Sequence, residues 1–235
     1  MASTSRKVRI CFFTGSGISA ESGLATFRGG NGLWDGVRVE DVATPAGWRK
    51  DRSRVLQFYN AYRDSVRRAM PNAAHHAIAE LQSKFHVDVI TQNVDDLHER
   101  AGTVGVVHLH GEIMKAQSSL DRDIVVELGD RNIEIGDKCE KGSQLRPNVV
   151  WFGEEPRELD RARWIVKQSD YLVVVGTSLQ VYPAASFVDD LPSDSYLFVV
   201  DPEEVGISRP HSQLFVVASV GVQSIKSRLE HLFGV

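Results

Sequence analysis

The run from Val8 to Phe13 reads as a buried β-strand, and it leads directly into Gly15-Ser16-Gly17-Ile18-Ser19-Ala20. A strand that breaks into Gly-x-Gly-x-x-Gly/Ala and then opens a helix is the turn used to cradle a pyrophosphate. Gly15 permits the tight turn, Gly17 lets backbone N–H groups approach the phosphates, and the small Ala20 lets helix pack close to strand. The helix N-terminus then adds partial positive charge. Taken alone this turn is a weak signal, because glycine-rich strand-to-helix turns also occur without nucleotides.

Further apolar runs follow at Val87–Thr91, Val104–Leu109, Tyr171–Val175, Tyr196–Val200 and Phe215–Val217. Runs that are apolar throughout suit parallel strands covered on both faces. Helical patterns lie between them at Ser53–Ala69, Ala73–Lys84, Leu159–Ser169 and Val222–Leu232. The expected fold is therefore α/β, a doubly wound, parallel Rossmann-like sheet. Two intervals interrupt the alternation and predict a small second lobe built from two insertions. The nucleotide lobe is expected over about 1–35, 71–113 and 149–235, with a helical module at 36–70 and a β module at 114–148.

At 235 residues, 42% apolar and 25% charged, one domain with a full core is expected. A net charge of −4 gives no sign of bulk nucleic-acid binding. No apolar run approaches the ~18 residues of a membrane span, and the N-terminus lacks a signal-peptide pattern. A cytoplasmic location and a monomer are expected.

Two polar clusters close apolar runs. Thr91-Gln92-Asn93-Val94-Asp95 ends one strand, where ligands of open α/β sheets bind; helix capping by Asn93 or Asp95 is the alternative use. His108-Leu109-His110-Gly111 places two histidines on one face of an extended segment. A metal pair would need a third ligand, and none stands nearby at a sensible spacing. A buried structural role remains open for either ring.

These stretches resemble the sirtuins, NAD-consuming protein lysine deacylases. Ala20-Glu21-Ser22-Gly23, Thr26-Phe27-Arg28-Gly29 and Asn31-Gly32-Leu33-Trp34 resemble the family signature, with Ser16 where alanine is usual. Gln92-Asn93-Val94-Asp95, His110-Gly111, Arg146-Pro147-Asn148-Val149-Val150-Trp151-Phe152-Gly153-Glu154 and Gly176-Thr177-Ser178 follow in family order. The resemblance implies that NAD lies along Gly15, Ser16, Gly17, Ile18, Ser19, Ala20 and Glu21, near Phe27, Arg28 and Trp34. Gln92 would contact the nicotinamide ribose, Asn93 would order ribose or water, and Asp95 would hold the carboxamide, with Val94 beside them. Gly176, Thr177 and Ser178 would bind phosphate or ribose. Asp201, Pro202 and Glu203 would meet the adenosine ribose, Asp201 standing where asparagine is usual, and Ala218 would lie beside the adenine.

The same resemblance implies that His110 is the catalytic base, assisted by Asn93, and that His108 is structural. An acyl-lysine protein or peptide would pair as an added strand with Val150, Trp151, Phe152, Gly153 and Glu154 on one side. Val181 and Tyr182 would form the other side of that clamp, and Ala43 would line the cleft. The implied reaction transfers the acyl group of acyl-lysine to ADP-ribose and releases nicotinamide. An ADP-ribosyltransferase or NAD hydrolase is the alternative, and an NAD-dependent oxidoreductase or a binding module is a third class.

Two departures from the family pattern carry predictions. Most sirtuins hold a structural zinc with two Cys-x-x-Cys pairs, but the interval after His110 contains only Cys139. No metal is expected, and Ile124–Leu128, a Gly129-Asp130 turn and Asn132–Asp137 predict a β-hairpin instead. Arg38–Pro45 and Phe58-Tyr59 resemble the class III sirtuins that remove succinyl, malonyl and glutaryl groups. That class reads the acyl carboxylate with Tyr and, three residues on, Arg. Here Tyr59 is followed by Tyr62, with Arg63 one residue late. A carboxylate buried without a cation is costly, so a neutral acyl group is expected unless Arg63 substitutes.

Overall fold

The computed structural model describes residues 7–26, 33–34, 36–180 and 184–235. Its centre is β1 (Arg9–Thr14), where side chains alternate between two apolar clusters. Ile10 and Phe12 join one cluster, while Cys11 and Phe13 join the other. A strand buried on both faces has no polar alternation, which is why the sequence shows a continuous apolar run.

The remaining strands of this parallel sheet are β4 (His86–Thr91), β5 (Val107–His108), β9 (Tyr171–Val175), β10 (Tyr196–Val200) and β11 (Ser212–Leu214), in the order β11-β10-β9-β1-β4-β5. Helices α4 (Ala73–Leu81) and α7 (Ala218–Phe233) share one cluster with Ile10 and Phe12. Helix α6 (Leu159–Lys167) and the 3-10 helix Ala184–Asp190 cover the opposite face through Ile165 and Phe187. The neighbours β4 and β9 flank β1. Their carboxyl ends therefore converge on the turn that follows Thr14.

The second unit is smaller. Strand β6 (Gly111–Ser118) lies between β7 (Val125–Glu127) and β8 (Leu145–Val149), all antiparallel. Short helices α1 (Val39–Val42), α2 (Pro45–Lys50) and the longer α3 (Arg52–Arg68) bury residues in the same cluster as this sheet. Asp51 caps α3 by accepting from Arg54 N. Val55, Leu56, Tyr59, Tyr62, Arg63 and Val66 are its buried face, spaced as one side of a helix. A two-strand pairing of β2 (Leu33–Trp34) with β3 (Val37–Arg38) and the short helix α5 (Leu97–Arg100) complete the elements.

Several expectations are corrected. Residues 132–137 do not return as a hairpin strand, because β6 takes β7 as its partner. Ile133 is instead fully buried, and Asn60 grips its backbone in both directions: Asn60 Nδ2 donates to Ile133 O, and Ile133 N donates to Asn60 Oδ1. That side chain supplies the hydrogen bonds a strand partner would have given. Phe215–Val217 is no strand either; the ladder ends at Leu214, and Phe215 is exposed. The run at 104–109 contributes only the two residues of β5 to the sheet. After Gly15 the chain forms a 3-10 helix, Ser16–Ser22, rather than an α-helix.

Candidate active site

The turn after β1 interlocks with the turn after β9. Gly15 N donates to Val175 O at 3.0 Å and Gly17 N to Gly176 O at 2.9 Å. A Cβ on Gly17 would stand 2.6 Å from Gly176 Cα, and Gly176 has φ +62°. So Gly17 is required first by a neighbouring backbone, a reason the sequence did not show. Ala20 is exposed, which corrects its reading as a packing residue; Ile18 and Ser19 are the buried residues of this helix. Ser16 is half-buried. Glu21 reaches across to α7, accepting from Ser219 N and from Ser219 Oγ beside the buried Ala218.

At the end of β4 the polar cluster is ordered by short bonds. Asn93 Nδ2 donates to Ser19 Oγ at 3.2 Å, and Ser19 Oγ donates to Asp95 Oδ2 at 3.0 Å. Burial raises the Asp95 carboxyl to about 6, against the opposing bonds from Leu97 N and Ser19. Val94 is buried, and its carbonyl accepts from Ile113 N. Gln92 ties three turns together. Its N–H donates to Thr14 O, its Oε1 accepts from Thr177 Oγ1 at 2.8 Å, and its carbonyl accepts from His110 Nδ1 at 2.9 Å.

That last bond decides the chemistry of His110. A carbonyl only accepts, so the proton sits on Nδ1 and Nε2 keeps its lone pair. Burial lowers the imidazole below its ordinary value, more than the Gln92 bond raises it. His110 is thus a neutral base near pH 7. His108 differs: Nδ1 faces Asn93 O at 3.0 Å and Nε2 faces Glu99 at 2.8 Å. Burial works to lower it, but the Glu99 carboxylate and the Asn93 carbonyl prevail and raise it.

Beyond His110 the chain enters the segment after β8. Val150 N donates to His110 O, and Phe152 N donates to Ala43 O. Phe152 and Gly153 are exposed, whereas Trp151 is buried with Nε1 donating to Tyr59 Oη at 3.1 Å. Glu154 accepts from Trp151 N and from Arg146, whose guanidinium lies 3.9 Å over the Trp151 ring. Trp34 meets Phe58, Tyr59 and Tyr62 edge-on, so Tyr62 belongs to an aromatic cluster. Arg63 does not join that cluster's polar end. It is fully buried, with Nε donating to Ile113 O at 2.7 Å and Nη1 to Asn60 Oδ1 at 2.6 Å.

At the β10 end Asp201 Oδ1 accepts from Glu203 N, closing the turn that contains Pro202. Ser178 is exposed beside Thr177. Phe27, Arg28, Val181 and Tyr182 lie outside the described residues. Asn72 was not anticipated: its Nδ2 donates to Ile18 O and Ser22 Oγ while its Oδ1 caps α4. The Pro71-Asn72 pair before an apolar helix is the signal the sequence offers there, and it points to a cap and not to the bonds with Ile18 and Ser22.

A family model described as the Sir2 family matches residues 15–183. The chain belongs to the Sir2 family. An NAD-dependent protein deacylase of Bacteroides thetaiotaomicron is 46% identical over 223 residues, covering 92% of this chain and 95% of that protein. An NAD-dependent protein deacylase of Helicobacter pylori is 44% identical over 203 residues, covering 86% and 88%. Among solved structures, a mutant Sir2 homologue in complex with ADP-ribose superposes with a TM-score of 0.89 at 36% identity, covering 97% of this chain and 94% of that one.

The Sir2 relationship raises the structural zinc directly, and the residues present do not fit it. In the β module Cys139 Sγ lies 3.2 Å from Ser143 Oγ, and Ser143 Oγ lies 2.6 Å from Ser118 Oγ. Ser118 Oγ also accepts from Leu120 N and Asp121 N. One thiol and two hydroxyls, already bonded to each other, cannot build a tetrahedral thiolate site. Among the described residues no group of three or more His, Cys, Asp and Glu is placed to hold a metal ion.

Proposed function

We propose that this Sir2 family member is an NAD-dependent protein lysine deacylase that moves the acyl group of acyl-lysine to ADP-ribose and releases nicotinamide. The observation that carries this reading is the Nδ1–H of His110 donating to Gln92 O, which leaves Nε2 as an accepting base at the carboxyl end of the sheet. NAD supplies the activated ribose carbon that accepts the acyl oxygen as nicotinamide departs. The turns at Gly15–Glu21 and Gly176–Ser178 hold its phosphates and riboses, with Asp201, Pro202, Glu203 and Ala218 at the adenosine end. Asp95, its carboxyl raised to about 6 by burial, holds the carboxamide with Gln92 and Asn93 beside the ribose. His110 Nε2 takes a ribose hydroxyl proton. Acyl-lysine pairs as an added strand with the Val150–Glu154 segment, and Ala43, joined to that segment by the Phe152 N–Ala43 O bond, lines the cleft.

We further infer a neutral acyl group, acetyl or longer, in a class III framework. Tyr59 and Tyr62 sit in an aromatic cluster, and Arg63 commits Nε and Nη1 to Ile113 O and Asn60, leaving only Nη2, buried and without a partner. A buried carboxylate would have at most that one guanidinium nitrogen to pair with, short of the bidentate fork that carries carboxylate recognition. The β module is read as metal-free, with the Ser118–Ser143–Cys139 bonds tying the loops that zinc ties elsewhere. Stoichiometric zinc in purified protein would refute that. The lobes are read as 1–35, 71–113 and 149–235 against 36–70 and 114–148.

The test is nicotinamide release from NAD with acetyl-, succinyl- and long-chain acyl-lysine peptides, beside His110→Ala. Release that requires a neutral acyl peptide and vanishes in the variant is expected. Release independent of every peptide would replace this reading with an NAD hydrolase or ADP-ribosyltransferase, and preference for succinyl would refute the neutral pocket.

A further inference from the structure

Behind the Val149–Glu155 segment lies a cavity of about 350 Å³ whose wall carries three arginines, Arg122, Arg146 and Arg157. Arg146 is neutralised, since it donates to Glu154 at 2.6 Å. The other two are not. Arg157 Nη2 donates to uncharged acceptors, Gln117 Oε1 at 2.7 Å and Arg122 O at 2.9 Å, and its Nε is buried with no partner. The Arg122 guanidinium makes no hydrogen bond or ion pair to any described residue, although the residue is half-buried.

The acids nearby do not cancel them. Glu154 belongs to Arg146, Glu155 is exposed, and Asp123 acts on Arg157 only through space. Burial and then Arg122 hold the Arg157 guanidinium below its ordinary value, the direction that crowded like charges produce. The lining holds three guanidiniums against two carboxylates, Glu154 paired with Arg146 and the exposed Glu155, so Arg122 and Arg157 keep a planar donor fork that matches carboxylate and phosphate oxygens.

We propose that this cavity is a binding site for a small oxyanion, a carboxylate or a phosphate, held by Arg122 and Arg157. Its rim includes Val150 and Glu154, which the deacylase reading places on the acyl-peptide clamp. The anion therefore has two sources. One is an acidic or phosphorylated side chain of the substrate protein flanking the acyl-lysine, a source that rests on the deacylase reading. The other is free inorganic phosphate, which does not.

The experiment is calorimetric titration of the full chain with inorganic phosphate while ADP-ribose is saturating, so that the nucleotide's own phosphate positions are filled. Wild type, Arg122→Gln and Arg157→Gln are compared. One saturable site is expected in wild type, weakened about tenfold or more in each variant. Arg122→Gln removes no hydrogen bond of the fold, so it stays informative if Arg157→Gln folds poorly. In parallel, nicotinamide release is measured with acyl-lysine peptides carrying flanking Glu or Gln. A preference for Glu in KM that both variants lose assigns the anion to the substrate; phosphate binding without such a preference assigns it to a free ion. The proposal is overturned if wild type shows neither effect, or if both variants retain them. Release from the neutral peptide reports on the deacylase reading separately and should stay at the wild-type level in both variants.

Discussion

Replacing Gly17 by alanine should damage the site through a contact that has no room to yield. The added Cβ would stand 2.6 Å from Gly176 Cα and 2.8 Å from Gly176 O, where ordinary contact starts at 3.4 Å. Both opposing atoms are main chain, so no rotamer change relieves the overlap, and Gly176 is itself at φ +62°. The turns must part, stretching the Gly17 N–Gly176 O bond of 2.9 Å. Overpacking costs about 1–3 kcal/mol, and a backbone opponent puts this case near 3. In a domain of this size that lowers Tm by about 6–12 °C. A cradle opened by a fraction of an ångström should also lose on the order of 10- to 100-fold in kcat/KM for NAD. Differential scanning calorimetry and nicotinamide release measure the two effects. Gly23→Ala is the control, because Gly23 has φ +86° but nothing within 4 Å of a Cβ. It isolates backbone strain, on the order of 1 kcal/mol. If Gly17→Ala melts within about 2 °C of wild type and keeps its kcat/KM, the interlocked turns are not what fixes the cradle.

His110→Ala should lower kcat by about 10²–10⁴-fold, and the wild-type rate should fall on the acid side with an inflection below the ordinary 6.5 of histidine, measured as kcat/KM against pH. Burial lowers the His75 imidazole to about 4, so the unfolded chain binds its proton first as pH falls. Stability from this group is therefore whole above about pH 6.5 and is lost toward pH 4, by about 3 kcal/mol; urea midpoints across that window should slope less in His75→Gln. Arg63→Met removes the side-chain donor to Ile113 O and leaves Asn60 Oδ1 with Ile133 N alone, and should cost about 2–4 kcal/mol. The succinyl-to-acetyl rate ratio should not change in that variant; a selective loss of succinyl turnover would show that Arg63 reads the acyl group after all.

What the sequence revealed, and what it hid, divides along physical lines. The strands β1, β4, β9 and β10 were legible because burial on both faces keeps the runs almost wholly apolar, Asp88 in β4 being the one polar residue inside them. Phe215–Val217 had the same composition, yet the ladder ends at Leu214 and Phe215 faces solvent. Composition alone does not record whether a neighbouring strand is present. The β module misled for a related reason. Alternation around Ile133 matched a strand, but Asn60, far away in sequence, satisfied that backbone instead. Arg63 stands four residues after Tyr59 and shares its helix face, as periodicity required. Where its fork points depends on Ile113 O, a main-chain atom that no side-chain pattern announces.

The site itself shows the same division in one residue. Gln92 was read for its side chain, as a ribose contact. In the fold its main chain matters as much, because its N–H holds the end of β1 and its carbonyl fixes the His110 tautomer. Its side chain accepts from Thr177 and so joins the turn after β9 to the same point. His110, the glycine turn after β1 and the Gly-Thr-Ser turn are therefore set by one register, that of β1 between β4 and β9. A shift of β4 by one residue would turn Gln92 to the other face. It would also withdraw the carbonyl from His110 and free Nδ1 to lose its proton preference. Motifs far apart in the chain keep their chemistry only because a buried, largely apolar strand pairing holds them in step. That pairing is silent in the motifs and explicit in the runs that precede them.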